Sequence, residues 1–246
     1  MCTSTELLPG KSRELLMANE NQMCVIAHIY TDFPEKFGIP RQSGLVESLC
    51  GKIVFEPEFR NPDAFHGLEG FSHIWLLWKF SQNHRTNWSA TVKPPRLGGN
   101  KRMGVFATRS PFRPNDIGLS CVKLERIEFT KEEGPVLYVR GADLMDRTPI
   151  YDIKPYLAYA DAHPDATEGF AGTVKEHRLL VDFPEKFLSV FPAEKQQAIV
   201  EVLSQDPRPA YQEDPEHRYG VSFAGYDVRF YVKGQNLTVC EVVKLG

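Results

Sequence analysis

The chain alternates short apolar runs with loops rich in glycine and proline, and this pattern limits its fold more than any other feature. Runs of strand character cover residues 24–30, 52–56, 71–80, 118–129 and 136–140, and no amphipathic helix separates them. Parallel strands need a long, usually helical, crossover, whereas antiparallel strands can follow one another through turns. We therefore predict that this part of the chain forms an antiparallel β-barrel or sandwich.

The C-terminal third has a different pattern. Residues 192–205 place apolar side chains on one face of a predicted helix, and residues 221–223, 227–233 and 237–243 have strand character. Residues 163–173 interrupt both patterns with proline and glycine. We predict an N-terminal extension at 1–22, a β-barrel domain at 23–165 and a small α+β domain at 166–246. The chain is then mainly β, and α+β overall.

One predicted strand, at residues 71–80, is apolar at nearly every position, which indicates a central strand buried on both faces. Trp75, Trp78 and Phe80 are interpreted as core residues. His73 lies in the same run, and we interpret it as a core histidine, with a catalytic base or a ligand as the alternative.

A segment near the middle of the chain concentrates positive charge. Residues 93–115 contain six basic residues and no acidic one, although the whole chain has a net charge of -3. Its prolines and glycines predict a shaped loop, which can present arginines and backbone N–H groups to an anion. A solvated basic loop without a ligand is the alternative.

Composition narrows the class of protein. The mildly acidic balance argues against a protein coated in nucleic acid, but a local basic face is compatible with RNA. The five cysteines form no Cys-x-x-Cys pair, which predicts reduced thiols and a cytoplasmic location. The longest strongly apolar run, residues 74–78, is far shorter than the roughly 20 residues that span a bilayer, so no membrane segment is expected.

Two further segments carry polar groups suited to a small ligand. A predicted loop ends at Arg41 and Gln42, whose donors and acceptor suit a carboxylate or a base edge. Asp143, Asp146 and Asp152 could hold a ligand amine, ribose hydroxyls or a metal ion, or could pair with the arginines of the basic segment. We expect no metal, because histidines or further oxygen ligands at a suitable spacing are missing.

Together these segments resemble the TsaA-like family and, within it, the bacterial tRNA N6-threonylcarbamoyladenosine methyltransferases. The resemblance rests on Pro-Arg-Gln at 40–42, Phe-Ser-His-Ile-Trp at 71–75, Pro-Pro-Arg-Leu-Gly-Gly-Asn at 94–100, Gly-Val-Phe-Ala-Thr-Arg-Ser at 104–110 and the segment 143–156. Residues 206–212 resemble the C-terminal extension of the same family. The match covers nearly the whole chain.

The resemblance implies a homodimeric β-barrel enzyme that transfers a methyl group from S-adenosylmethionine (SAM) to tRNA without a Rossmann sheet. This sequence has serine at 81, arginine at 147 and alanine at 158, where the family pattern has histidine, glycine and proline. The implied SAM contacts are Pro40, Arg41, Gln42, Phe80, Ser81, Arg109, Leu119, Asp143, Leu144, Met145 and Asp146.

The chemistry of these residues agrees with that implication. Arg41 or Arg109 could pair with the SAM carboxylate, and Asp143 or Asp146 with its ammonium or a ribose hydroxyl. Asp146 is also the candidate base that takes a proton from the acceptor nitrogen. The side chains expected to meet tRNA phosphates are Lys93, Arg96, Lys101, Arg102 and Arg113.

Two other hypotheses stay open on sequence alone. A non-catalytic RNA-binding barrel would keep the basic loop without the methyl donor, so its RNA binding would not respond to SAM. A methyltransferase of the same fold with another acceptor would keep its activity when Lys101 and Arg102 are changed.

Overall fold

The computed structural model describes residues 23–83, 88–94, 101–174, 178–208 and 214–246, so the predicted extension at 1–22 lies outside the described residues. Among these described residues, the first part of the chain forms eight strands and several single-turn 3-10 helices. The strands are β1 (Ala27–Tyr30), β2 (Cys50–Phe55), β3 (His73–Lys79), β4 (Thr91–Val92), β5 (Met103–Gly104), β6 (Ile117–Thr130), β7 (Gly134–Arg140) and β8 (Thr148–Pro155). The 3-10 helices are Pro57–Phe59, Pro62–Phe65, Leu68–Gly70 and Val105–Ala107.

Six of these strands close into a barrel in the order β1, β2, β7, β6, β3 and β8. Every neighbouring pair is antiparallel, including β8 with β1, which closes the ring. Closure leaves no unpaired edge strand, and alternate side chains point inward. The inward residues include Ile29, Ile53, Ile74, Leu76 and Ile150, all fully buried. The predicted antiparallel β-barrel is confirmed.

Strand β3 differs from its prediction. Its residues alternate between buried and partly exposed, so Ile74, Leu76 and Trp78 face the core while Trp75 lies on the outer surface. The Trp75 Nε1 donates a hydrogen bond to Asp161 Oδ2 at 3.0 Å. The predictions that β3 is buried on both faces and that Trp75 belongs to the core were therefore wrong, because a barrel buries only the inner face of each strand.

His73 also lies outside the barrel interior. Its Nδ1 is 2.9 Å from Ser72 Oγ, and its ring contacts Tyr156 edge to face with centroids 6.1 Å apart. The side chain is half-buried. His73 is thus neither a core histidine nor close to the cavity described below.

The C-terminal part contains a four-stranded sheet in the order β10, β11, β12, β9. Three strands pair antiparallel, and the short β9 runs parallel to β12. The α+β character predicted for this part is confirmed. Its elements, with the helix and 3-10 segment that precede it, are α1 (Ala158–Asp161), Gly169–Val174, β9 (Leu180–Asp182), α2 (Glu185–Leu188), α3 (Ala193–Ser204), β10 (Tyr219–Phe223), β11 (Tyr226–Lys233) and β12 (Asn236–Lys244).

Helix α3 packs its predicted apolar face, with Ile199, Val202 and Leu203 buried, against this sheet. The same core also contains Phe33, Val46 and Leu49, which belong to the connection between β1 and β2 of the barrel. The barrel connection therefore supplies part of the C-terminal core. The domain limits at 165 and 166 stay a prediction.

Within the described part of the chain, no helix is both long and apolar enough to cross a membrane.

Arg147 offers a direct test of backbone strain near the start of β8. Its φ is 59°, in the left-handed region that costs a non-glycine residue about 1 kcal/mol. This conformation explains why a glycine would suit the position. We expect Arg147→Gly to raise the free energy of unfolding by about 0.5–1 kcal/mol, measured by urea denaturation. Arg147→Ala, which keeps the Cβ, is the control, and equal stability of the two variants would contradict the strain.

Candidate active site

A cavity of about 570 Å³ opens at the end of the barrel where β3 finishes and where β6 and β8 begin. Such a volume is typical of small-molecule sites. Apart from Leu144 and Asp146, every predicted SAM contact lines it. The residues that line it are Lys36, Ile39, Pro40, Arg41, Gln42, Trp78, Lys79, Phe80, Ser81, Gln82, Asn83, Phe106, Thr108, Arg109, Pro111, Arg113, Ile117, Gly118, Leu119, Asp143, Met145 and Thr148.

A chain of hydrogen bonds leads from the barrel core to the cavity. The buried indole of Trp78 donates from Nε1 to Ser120 Oγ at 3.0 Å, and Ser120 Oγ donates to Asp143 Oδ1 at 2.6 Å. This chain fixes the Asp143 carboxylate at the cavity wall. Sequence reasoning missed Ser120, because a lone serine inside an apolar strand gives no signal of its partner.

Burial raises the pKa of the Asp143 carboxyl above its ordinary value. The hydrogen bonds from Ser120 and the Ser43 backbone N–H, and the positive charge of Arg109, act in the opposite direction. A bound cation would stabilise the charged form of a partly desolvated carboxyl group of this kind. The cavity thus presents the half-buried carboxyl group of Asp143 beside cationic side chains.

The cationic side chains come from two segments distant in sequence. Arg109 Nη1 donates a short hydrogen bond to Gln42 Oε1 and so joins the basic loop to residues 40–42. Both side chains stand at the cavity, and Arg109 is exposed. This arrangement lets guanidinium and amide groups meet an incoming anion together.

The loop that carries Pro40, Arg41 and Gln42 is held by the C-terminal part of the chain. An ideal Cβ at Gly38, where φ is +93°, would lie 2.6 Å from Val221 Cγ1, so the loop lies directly against β10. Three polar contacts reinforce this packing: Lys195 Nζ donates to Asp32 Oδ2 at 2.5 Å, Ser48 Oγ donates to Glu201 Oε2 at 2.6 Å, and Ser222 Oγ donates to Glu35 Oε1 at 2.5 Å.

Two predicted contacts lie behind the cavity wall. Leu144 is buried in the barrel core, with 1% of its surface exposed. Asp146 Oδ1 accepts a hydrogen bond from the Thr31 backbone N–H at 3.0 Å, and its Oδ2 is 3.7 Å from Arg147 Nε. Asp146 therefore holds the backbone at Thr31, where the chain leaves β1. Its role as a base stays a prediction.

The predicted tRNA contacts divide between the cavity and the neighbouring surface. Arg113 lines the cavity, and its Nη1 donates to the Thr108 carbonyl at 3.0 Å. Lys93, Lys101 and Arg102 are exposed beside the β4–β5 ribbon. Arg96 lies outside the described residues.

Among the residues that the structure describes, no group of three or more His, Cys, Asp or Glu side chains is placed to hold a metal ion.

The raised pKa of Asp143 has a measurable consequence for stability. The folded protein holds this proton more tightly than the unfolded chain does. The contribution of Asp143 to stability is therefore greatest below the unfolded pKa near 3.9 and falls as pH rises through the folded value. We compare the free energy of unfolding of the unchanged protein with that of Asp143→Asn. The difference between them is expected to decrease as pH rises across this window, by about 1.4 kcal/mol per unit of pKa shift. Urea denaturation at a series of pH values measures this difference, and a difference independent of pH would contradict the burial.

Two family models match the chain. The model described as the tRNA-methyltransferase O N-terminal domain matches residues 28–162, and the model described as the TrmO C-terminal domain matches residues 176–245.

Individual proteins agree with these matches. A tRNA (adenine(37)-N6)-methyltransferase of Escherichia coli (strain K12) is 44% identical over 215 residues, which covers 84% of this chain and 91% of that protein. A putative S-adenosylmethionine-dependent methyltransferase, RcsF, of Pseudomonas aeruginosa is 42% identical and covers 84% of this chain and 90% of that protein. A crystal structure of TrmO from P. aeruginosa superposes with a TM-score of 0.73 at 34% identity, covering 98% of this chain and 100% of the other.

These similarities extend over both the barrel and the C-terminal sheet, and they confirm the family predicted from the sequence motifs. The chain belongs to the tRNA-methyltransferase O (TrmO) family of the TsaA-like proteins.

Proposed function

We propose that this protein is a SAM-dependent methyltransferase that methylates N6 of the adenine at position 37 of tRNA, next to the anticodon, as the names of its relatives describe. One observation carries the proposal: the cavity combines a half-buried carboxyl group, exposed cationic groups and aromatic walls at the positions that the family resemblance predicts for SAM.

The groups in the cavity fit the parts of SAM. Arg41 and Arg109 would bind its carboxylate, and Asp143 its ammonium or a ribose hydroxyl. Trp78 and Phe80, whose ring centroids are 4.3 Å apart, provide an apolar wall for the adenine. When bound, SAM supplies a methyl group that its sulfonium has already activated. The main task of these side chains is therefore alignment, which can contribute roughly 7–11 kcal/mol to catalysis.

We further propose that the acceptor is N6-threonylcarbamoyladenosine. Its N6 lone pair is delocalised into the carbamoyl group, so removal of the N6 proton would assist the transfer. Asp146, the predicted base, accepts a hydrogen bond from the Thr31 backbone N–H and is not among the residues that line the cavity. Direct proton transfer to Asp146 would require a movement toward the cavity, whereas Asp143 already lines it.

Exposed basic residues near the cavity would attract the tRNA backbone. We expect Lys101→Glu to weaken tRNA binding and to lower the slope of log affinity against log salt by about one, the effect of losing one phosphate contact. Arg102 is left unchanged because its Nε donates to Thr91 Oγ1 at 2.8 Å and supports the ribbon.

A filter-binding assay at several salt concentrations measures this prediction. Lys131→Glu is the matched control, since it makes the same charge change on an exposed turn at the opposite end of β6. Equal tRNA retention by both variants would contradict the contact at Lys101.

We also propose that the protein acts as a homodimer, which rests on the family resemblance. A cytoplasmic location, proposed from the cysteine usage, and a boundary between the two domains near residue 165, proposed from the proline and glycine break, rest on the sequence. Sedimentation of the purified protein tests the dimer, and limited proteolysis tests the boundary.

Transfer of label from methyl-labelled SAM to bulk tRNA tests the proposed activity. Labelled tRNA supports it. Binding of tRNA that is unaffected by SAM, with no transfer, would favour a non-catalytic RNA-binding barrel, and SAM binding without label in tRNA would favour another acceptor.

A further inference from the structure

Two aromatic side chains project into solvent beside the cavity, and the assignments above use neither of them. Trp88 and Phe106 are 52% and 72% exposed. Their rings lie nearly parallel, at 24°, with centroids 6.2 Å apart. Phe106 also lines the cavity, so this pair, which we call the aromatic pair, stands at the cavity mouth.

The backbone holds the aromatic pair in place. The β4–β5 ribbon pairs Thr91 with Gly104, and Val105 N–H donates to the Ala90 carbonyl at 3.0 Å. Ser89 N–H donates to the Phe112 carbonyl at 3.2 Å. Val105, next to Phe106, is 1% exposed and anchors the single-turn helix that carries the exposed ring. The exposure of both rings is therefore set by an ordered scaffold.

The chemistry around the aromatic pair suits a nucleobase. Exposed Lys101 and Arg102 stand on the same ribbon and favour an anionic backbone nearby. The flat exposed rings together with these cations match an unpaired base and its phosphate.

We propose that Trp88 and Phe106 form a stacking site for an unpaired nucleobase that neighbours the methylated adenine in the RNA. This inference rests on the proposed tRNA substrate. Unpaired bases in RNA loops are recognised by stacking on aromatic rings, and flanking cations contact the phosphates. A second copy of this chain fits the surface less well, because it would bring the same positive charges against Lys101 and Arg102.

Tryptophan fluorescence reports on this site directly. Of the three tryptophans, Trp78 is buried and Trp75 is half-buried, whereas Trp88 is half-exposed. Titration with a synthetic RNA hairpin that matches an anticodon arm is expected to quench the emission of the protein, and Trp88→Phe is expected to lose most of this quenching while it binds the hairpin.

Affinity for the same hairpin separates stacking from general charge attraction. Trp88→Ala and Phe106→Ala are each expected to weaken binding about tenfold. Trp88→Phe and Phe106→Tyr keep an aromatic face and are expected to bind within a few-fold of the unchanged protein. The matched control is Phe129→Ala, because Phe129 is 59% exposed at the opposite end of β6. A fully paired RNA duplex should not distinguish any of these variants.

Equal hairpin affinity for the alanine variants and the unchanged protein would overturn the stacking site. The stacking site would also be overturned if the alanine variants lost the dimer in sedimentation while their hairpin affinity stayed unchanged. A second copy of the chain would then cover the aromatic pair. If the unchanged protein methylates tRNA while Trp88→Ala binds the hairpin normally, this inference fails and the proposed function stands. If the unchanged protein neither binds the hairpin nor methylates tRNA, both fail.

Discussion

Replacing Gly118 with alanine is expected to lower the free energy of unfolding by about 3 kcal/mol and to weaken SAM binding as well. An ideal Cβ at this position would lie 2.2 Å from Cε2 of Trp78, and no flexible chain end can yield there because the contact is the indole ring itself. The ring must move, and its movement breaks the hydrogen bond from Nε1 to Ser120 that positions Asp143.

Urea denaturation and calorimetric titration with SAM measure the two effects of Gly118→Ala. Gly104→Ala is the matched control, since its added Cβ meets no atom within 4 Å. A smaller residue in place of Trp78 should recover part of the lost stability in the Gly118→Ala background, which gives a double-mutant cycle. Equal stability of Gly118→Ala and Gly104→Ala would contradict the close approach.

The Arg109→Ala variant is expected to bind SAM roughly 100-fold more weakly, because it loses about 3 kcal/mol of hydrogen bonding to a carboxylate. The fold should survive, since Arg109 is exposed and its side chain donates a hydrogen bond to Gln42 at the cavity. Arg109→Lys keeps the charge without the planar fork, so its SAM affinity should lie between those of Arg109→Ala and the unchanged protein.

Calorimetric titration with SAM checks this prediction, and circular dichroism checks the fold. Arg147→Ala is the control, because it removes an arginine that is 79% exposed and does not line the cavity. An unchanged SAM affinity for Arg109→Ala would exclude Arg109 from cofactor binding.

Much of the fold could be predicted because short apolar runs joined by glycine- and proline-rich loops, without helical crossovers, are typical of antiparallel strands. Strand β6 alternates regularly between buried and more exposed residues from Gly118 to Leu124, and its pairing with β7 shifts register only between Leu124 and Arg126. Strand β8 is absent from the predicted strands, since Pro149, Asp152 and Pro155 interrupt its pattern. Strand β8 in fact closes the barrel, and its first residue, Thr148, lines the cavity.

The predicted SAM residues came from family motifs, and the cavity brings most of them together. Two features had no sequence signal. Ser120 meets Trp78 and Asp143 only through strand register and burial. The anchoring of Asp32 by Lys195 joins residues 163 positions apart, and such a contact exists only once both parts are folded. Local patterns specify elements, whereas these contacts depend on how the elements pack.

The anchoring also assigns a structural role to the C-terminal part of the chain. Phe33, Val46 and Leu49 flank the loop that carries residues 40–42, and all three are buried in the C-terminal core. The shape of one cavity wall therefore depends on a core that the barrel alone does not contain.

The most direct test of the proposed function is methyl transfer from labelled SAM to tRNA isolated from cells with and without threonylcarbamoyladenosine, followed by mass spectrometry of the nucleosides. The account predicts label only in tRNA that carries threonylcarbamoyladenosine, recovered as its N6-methyl derivative. Label in another nucleoside, or equal label in both tRNA preparations, would contradict the proposed acceptor. No label in either preparation, with SAM binding intact, would contradict the proposed tRNA methylation itself.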